Sequence, residues 1–564
     1  MIGALSRKAR QVMADPALRR YLLERLSGRI KPPPPFTPGY PPYLQSLALT
    51  VPASLPPLPV FDSPPPASSL AVDLPGAQIR LDPTDPGHLF ELSFPDIETK
   101  LAVHRFAWLP IQGVSVAPGW VAALWKEWLR RHGQPGDGWE WHPYTAAERV
   151  INLLDYFGKA GGFPSPASDS LMALAAHGPA ILARLEYFGD HYTGNHLSNN
   201  GRGLHALGCA LHWAECADLG AQILLAEADR LFAPSGMLRE GSAHYHLLLT
   251  RNYISAWLAA RRLGRPETED LGRIAGRCLA AARHLDLPGG LPLVGDISPD
   301  CPPSFLSGLL PSGTGGWVDG LTPQDAAAVA QLERPSLPDP LADGWARLDH
   351  GDWSLLVHAS PAGWPLMPGH GHHDLGGFEL HWKGLPLFVD PGRGEYGETG
   401  EAAHYRSAYV HNGLMLDDTD PTPPNRPYYD DSFRVRAGGA PPALSVTPDR
   451  IILDHHGFKR QGATSCRRSW TFGPSGLLVD DDIAGRGTHA IQRSLITTWA
   501  TRQTPGGIAI DTPKGLIQVS CPSAARLEPM KRWEAYGRAV PATRIVFEER
   551  SGLPFTGFFS VEAV

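Results

Sequence analysis

The sequence predicts an α-plus-β multidomain chain, helical in its first half and all-β in its second, with the change of pattern near residue 336. From about residue 100 to 335, apolar residues recur at helical spacings. In "GRGLHALGCALHWAECA", Leu204, Leu207, Leu211 and Ala214 fall three and four apart, one stripe of an amphipathic helix. Beyond "RPSLPDPLADG" the runs become short, turn-bounded and rich in Val, Ile, Leu and aromatics, the spacing of antiparallel strands. A length of 564 residues also exceeds what one core usually organises. The expected division is 1–95, an N-terminal helix and Pro-rich arm; 96–335, the helical domain; and 336–564, the β domain.

The first element, "MIGALSRKARQVMADPALRRYLLERL", breaks its apolar residues with Arg and Lys every few positions, which reads as an amphipathic helix. It lacks the continuous apolar core of a secretory signal, so a cytoplasmic location is expected. No stretch has the roughly 18 uninterrupted apolar residues of a membrane span. Next, "KPPPPFTPGYPPYL" and "VPASLPPLPVFDSPPPASS" place prolines too densely for helix or central strand, and residues 31–70 read as an extended linker or wrapping arm. Helices are then expected around "AAERVINLLDYFG", "LMALAAHGPAILARLEYFG", "AQILLAEADRLFA", "AHYHLLLTRNYISAWLAARRLG" and "LGRIAGRCLAAARHL". Several end at Gly, as helix C-termini commonly do. Helix pairs in series would suit a toroid. Strands are expected at "WARLDHGDWSLLVHA", "GGFELHWKGLPLFVD", "NGLMLDD", "RIILDHHGF", "GLLVDDDIA" and "TRIVFEER".

Composition narrows the function. A formal net charge of -7 gives no general reason to expect a nucleic acid partner. The six cysteines contain no CxxC pair, so neither a thiolate metal site nor a disulfide framework is indicated.

Three polar clusters stand out. The first is "PGHGHHDLGGFELHWKGLPLFVDPGRGEYG", with His370, His372, His373 and Asp374 within five positions, then Asp390 and Tyr396. On an extended backbone His370 and His372 share one side and His373 takes the other. With a carboxylate and a further His they could hold zinc, Asp390 and His411 of "AYVHNGLML" being the natural candidates. The same turn matches the dizinc hydrolase pattern HxHxDH until its last position, where Leu375 stands in place of His. No HExxH signature is present.

The second cluster, "YFGDHYTGNHLSNNGRGLHALG", gathers His191, Asn195, His196, Asn199, Asn200 and Arg202 around a helix start, more polar groups than capping needs. It could grip a carboxylate. The third, "GMLREGSAHYHLLLTRNY", offers Ser242 as N-cap and Tyr245 at the third helical position, where the helix dipole would stabilise a phenolate.

In order and spacing these motifs, together with "WEWHPYTAAERVINLLDYFG", resemble the heparinase II/III family of polysaccharide lyases. The resemblance implies an incomplete (α/α) toroid followed by an antiparallel β-sandwich, with a cleft between them. It implies β-elimination at a uronic acid of an acidic polysaccharide substrate. Asn195 with His196 would neutralise the carboxylate, Tyr245 would act as acid or base, and His370 or His196 as base, with Tyr396 as a further candidate. Asn199, Arg202 and Glu240 would line the substrate site, and Trp139, Trp141 and Tyr144 could stack on sugar rings. The family's zinc, carried over position by position, would sit on His372, Asp390 and His411 in a structural role. Two departures count against a simple transfer. Relatives often carry Glu where Asn199 stands, which removes a carboxylate that could tune His196. Most characterised members are exported, making a periplasmic location the alternative to a cytoplasmic one. A dimer is compatible with the sequence. The competing readings are a non-catalytic polysaccharide-binding protein of exopolysaccharide assembly and a zinc-dependent hydrolase. The scarcity of Lys and Arg in the clusters favours an unsulfated uronate.

Overall fold

A computed structural model describes residues 16–29, 38–45, 48–55, 58–62, 64–165, 167–189, 192–359, 369–422 and 438–564. The first fifteen residues of the expected N-terminal helix, and His191, lie outside these; the rest of that helix is Pro16–Leu26.

The helical half is built on Pro143–Ala160, Asn195–Ala210, Ala214–Leu231, Ala243–Arg262 and Thr268–Ala282. Asn195–Ala210 packs on three of the others, Pro143–Ala160, Ala214–Leu231 and Ala243–Arg262. Glycine allows the close approach. A Cβ on Gly208 would lie 2.2 Å from the Ala217 nitrogen, and one on Gly203 would lie 2.6 Å from the Ala147 Cβ. Each mid-helix glycine costs about 1 kcal/mol relative to Ala, which the interhelical packing offsets. The run "LMALAAHGPAILARLEYFG" is not one helix but two, Ala167–Ala175 and His177–Leu182. Pro179 explains the break, since its ring clashes with the carbonyl four residues back and it has no N–H to donate.

The arm is less featureless than its prolines suggest. Leu70–Leu74 and Ala77–Leu81 pair as a hairpin whose alternate residues are buried, and Val60–Phe61 pairs with Phe163–Pro164. Leu70, Val72, Leu74 and Leu81 join the core of the first helices.

From Trp345 onward the described residues are mainly strands, with one short α-helix at Gly400–His404. Trp345–His350, Trp353–His358, Gly377–Trp382 and Leu385–Phe388 form one antiparallel sheet in chain order. An eight-stranded antiparallel sheet runs from Ala443–Thr447 through Phe555–Ala563 to Ala500–Thr504. A second four-stranded sheet centres on Arg538–Gly552 and Thr488–Thr497. Their inward residues, among them Leu355, Leu380, Trp470, Val479, Ile545 and Phe559, make one core, the interior of a sandwich. Trp345 and Leu356 pack instead into the core of the later helices, so the two halves meet through apolar surface. All six cysteines are free. No helix among the described residues is long and apolar enough to cross a membrane.

Candidate active site and metal-ligand cluster

Three segments converge where the helical half meets the sandwich. Gly241 at φ 71 turns the chain so that Ser242 caps the helix beginning at Ala243, its hydroxyl accepting the Tyr245 N–H at 3.1 Å. The Ser242 hydroxyl also donates to the Asp296 carbonyl at 2.8 Å, the Asp296 N–H donates to the His370 carbonyl at 2.9 Å, and the His370 N–H donates to the Glu240 carbonyl at 3.0 Å. Gly295, at φ 78, sits at this junction. A Cβ there would lie 2.5 Å from the Gly241 oxygen and 2.9 Å from the His370 oxygen.

On this frame the Tyr245 ring stacks on His370, 3.5 Å between centroids and 9° from parallel. The Tyr245 and Tyr396 hydroxyls are 2.6 Å apart, and Tyr396 donates to the Ile297 carbonyl at 3.2 Å. Burial, then the Asp300 carboxylate, pushes the Tyr245 phenol well above its ordinary value. The helix dipole does not win, and the expected stabilised phenolate is not what the surroundings favour.

Asn195 opens its helix. Its backbone N–H donates to Glu240 Oε1 at 2.7 Å and its side-chain amide to Glu240 Oε2 at 2.8 Å, with His370 Nε2 at 3.1 Å from the same amide nitrogen. Because an ionised carboxylate only accepts, Glu240 fixes which end of the amide is nitrogen. His370 Nδ1 faces Asp296 Oδ2 at 3.1 Å. Those two contacts together assign the His370 proton to Nδ1 and leave Nε2 as acceptor. Asp296 also takes His372 Nε2 at 2.8 Å and Arg393 at 3.0 Å on Oδ1. Burial opposes its charge, yet Arg393 and the two imidazoles hold its carboxyl well below the usual range.

His196, beside Asn195, is half-exposed. Its Nδ1 lies 2.7 Å from Glu186 Oε1, and its ring lies 4.5 Å from that of Tyr144. The carboxylate missing at Asn199 is therefore supplied from the loop before the helix.

The predicted metal ligands form a compact buried group. One atom each of His372, Asp390 and His411 lies within 4.8 Å of the others. His372 spends Nε2 on Asp296 and His411 offers Nδ1 to Asp390 Oδ2 at 2.8 Å, leaving His372 Nδ1 and His411 Nε2 buried with no partner among the described residues. Two unpartnered imidazole lone pairs beside a carboxylate are the donor set a zinc ion takes.

Residues 334–554 match the family described as heparinase II/III-like, C-terminal. The match is one of similarity over the sandwich half, and the helical half lies outside it. Solved structures share the whole architecture, toroid plus sandwich. The crystal structure of heparinase III covers 84% of this chain and 79% of its own, at 15% identity and a TM-score of 0.63. A mutant of heparan sulfate lyase HepC from Pedobacter heparinus covers 84% and 77%, at 18% identity and a TM-score of 0.55. No curated protein matches the chain. His370, His372, Asp390, Tyr396 and His411 lie inside the matched heparinase II/III-like region, whereas Asn195, His196 and Tyr245 lie in the helical half that precedes it.

The residues expected to touch substrate divide. Trp139 is 52% exposed and free to stack on a ligand. Trp141 is buried against Trp128 and His177 with Arg149 above it, a core residue. Tyr144 is buried, its hydroxyl donating to Asp300 at 2.6 Å, although its ring edges His196. Arg202 and Asn199 do not reach the cleft as expected. Both are buried, and Arg202 is paired with Glu148 at 2.8 Å because a guanidinium inside a helical core needs a carboxylate. Glu240 is fully buried under Asn195, both of its carboxylate oxygens accepting from that residue. Leu375, where the dizinc pattern needs His, packs in the sandwich core. Asp296, Arg393, Glu186 and Asp300 went unseen in the sequence, where no motif marks their partners. Asp296, flanked by Gly295 and Ile297 in "LPLVGDISPD", carried the one usable signal, an acid that closes a short apolar run.

Proposed function

We propose that this chain is a polysaccharide lyase that cleaves a uronic-acid-containing polysaccharide by β-elimination. The observation that carries the reading is the stack of Tyr245 on His370 with Asn195 in contact, which brings a potential acid, a base and an amide donor together. A binding module needs no such set. The likeness in fold to a heparan sulfate lyase and to heparinase III supports the same reading.

In the proposed reaction the uronate carboxylate is held by Asn195 and His196, so that negative charge building toward it as C5 loses its proton is stabilised. For this the Asn195 amide must release His370 Nε2, which frees one N–H for substrate and one lone pair for the C5 proton. His370 takes that proton. The C5–H electrons form the C4=C5 double bond, the C4–O4 bond breaks, and Tyr245, still protonated because of its burial, donates its hydrogen to O4. Asp296 keeps the His370 ring oriented throughout. Arg202 and Arg105 are both withdrawn into ion pairs with Glu148 and with Glu98 and Asp300, which supports an unsulfated substrate.

A zinc ion held by His372, Asp390 and His411 belongs to the same proposal. It would supply structural cross-linking of the loop before Gly377 to the loop after Phe388. His372 would then orient Asp296, and through it His370.

The test is ultraviolet absorbance of the conjugated product on heparan, chondroitin, hyaluronan, alginate and bacterial uronate polymers, with Tyr245→Phe alongside. A rise absent from the variant supports the lyase. A flat trace on every polymer with binding retained would favour the binding-protein reading.

A further inference from the structure

The helices Pro143–Ala160, Asn195–Ala210 and Ala243–Arg262 carry Tyr144, Asn195 and Tyr245 in their first turns, and their last turns meet around one cavity. That cavity, of about 300 Å³, is lined by Lys159, Arg202, Arg251 and Arg262 with Asp155 as the one lining carboxylate. Its volume is at the lower end of that of small-molecule sites. Lys159 pairs with Asp155 at 2.8 Å, Arg262 with Asp325 at 2.6 Å and Arg202 with Glu148 at 2.8 Å. Arg262 and Lys159, in the last turns of their helices, also suit the negative ends of the dipoles. Arg251 is different. It lies mid-helix, is only 4% exposed, and makes no hydrogen bond or ion pair with any described residue, its Nε being buried without a partner.

A buried guanidinium without a counter-charge is strongly unfavourable, and its neighbours make matters worse. Arg202 is brought down to about 10 by burial, with Glu148 opposing and Arg251 adding repulsion. We propose that the cavity at the base of the toroid is a small-oxyanion site in which Arg251, backed by Arg202, takes a carboxylate, sulfate or phosphate group. Guanidinium is suited to this because its planar fork meets two oxygens at once. Arg251 is six residues past Tyr245 and Arg202 seven past Asn195, about 10 Å along their helices at 1.5 Å per residue. The site is therefore separate from the cleft, and the inference does not depend on the chemistry proposed there.

The experiment is thermal unfolding and titration calorimetry of the full chain with sodium sulfate, sodium phosphate and sodium D-glucuronate, each against sodium chloride at equal ionic strength. The proposal expects at least one anion to raise the unfolding temperature above its chloride control. The response is lost in Arg251→Met and kept in Asn195→Ala. Glucuronate alone would identify a sugar-acid site, and sulfate or phosphate alone an inorganic one. Ser255→Glu, which lines the cavity one helical turn from Arg251, supplies an internal carboxylate. It should raise the unfolding temperature without added anion and abolish the response, and it decides the matter if Arg251→Met fails to fold. No response to any of the three, or one that survives in Ser255→Glu, overturns the proposal. Loss in Asn195→Ala with retention in Arg251→Met would assign the binding to the cleft and overturn it equally.

Discussion

The rings of Tyr245 and His370 lie face to face, one from the first turn of a helix and the other from the loop before a strand of the sandwich. The acid and base of the proposed reaction therefore come one from each half of the chain. Tyr245→Phe keeps the stack and removes only the hydroxyl. Its expected effect is a fall in turnover of about 10²–10⁴-fold, the usual worth of a positioned acid, with stability lowered by about 1 kcal/mol for the lost bond to Tyr396. Initial rates and denaturant unfolding check both, and a variant with wild-type turnover would remove Tyr245 from the mechanism.

Glu240 is expected to act through Asn195. In Glu240→Gln one amide N–H must face an Asn195 donor, so the Asn195 side chain loses its fixed orientation. The prediction is a kcat reduced about 10–100-fold with a smaller change in KM, and a stability loss of about 1–3 kcal/mol from the unpaired buried donor. An unchanged kcat in a folded protein would show that Asn195 is held by other means.

The sequence made the helical half readable because each inner helix carries an apolar stripe, and "EGSAHY" announced the Ser242 cap that sets Tyr245. The His372, Asp390 and His411 grouping was also within reach through the resemblance, and the three side chains do converge. What sequence could not give were partners distant along the chain. Asp296 acquires its meaning only from His370, His372 and Arg393. Trp139 and Trp141 look equivalent as letters, yet one is exposed and the other buried against Arg149. The hairpin Leu70–Leu81 was hidden by prolines on its N-terminal side, because its strands are stabilised by burial against helices that local pattern does not reveal.

Zinc should bind and stabilise. Added to metal-stripped protein, it is expected to raise the unfolding temperature by roughly 5 °C or more at saturating excess, the size that preferential binding to the native state gives. His411→Ala should abolish the response and itself be destabilised. Direct metal analysis after dialysis, showing about one equivalent retained by wild type and none by the variant, provides a second readout. An equal zinc response in both proteins would place the ion elsewhere.

Stability should depend on pH through His196 and Glu186, 2.7 Å apart. Burial disfavours the His196 cation, but the Glu186 charge and hydrogen bond prevail and raise it above its ordinary 6.5. Burial likewise opposes the Glu186 carboxylate, and His196, then His142 and Asn200, bring it below 4.5. For the raised histidine, the stabilisation is complete below 6.5 and is lost as pH rises through the folded value. For the depressed carboxylate it is complete above 4.5 and is lost as pH falls through the folded value. Both contributions are therefore fully present only between those limits. Glu186→Gln removes the pair, so its deficit in unfolding temperature should be largest near about pH 5–6 and shrink on either side. Solvent screens the half-exposed His196, so the bell should be shallow. Melting curves of the two proteins at closely spaced pH values decide it, and a deficit that grows steadily with rising pH would contradict the assigned directions.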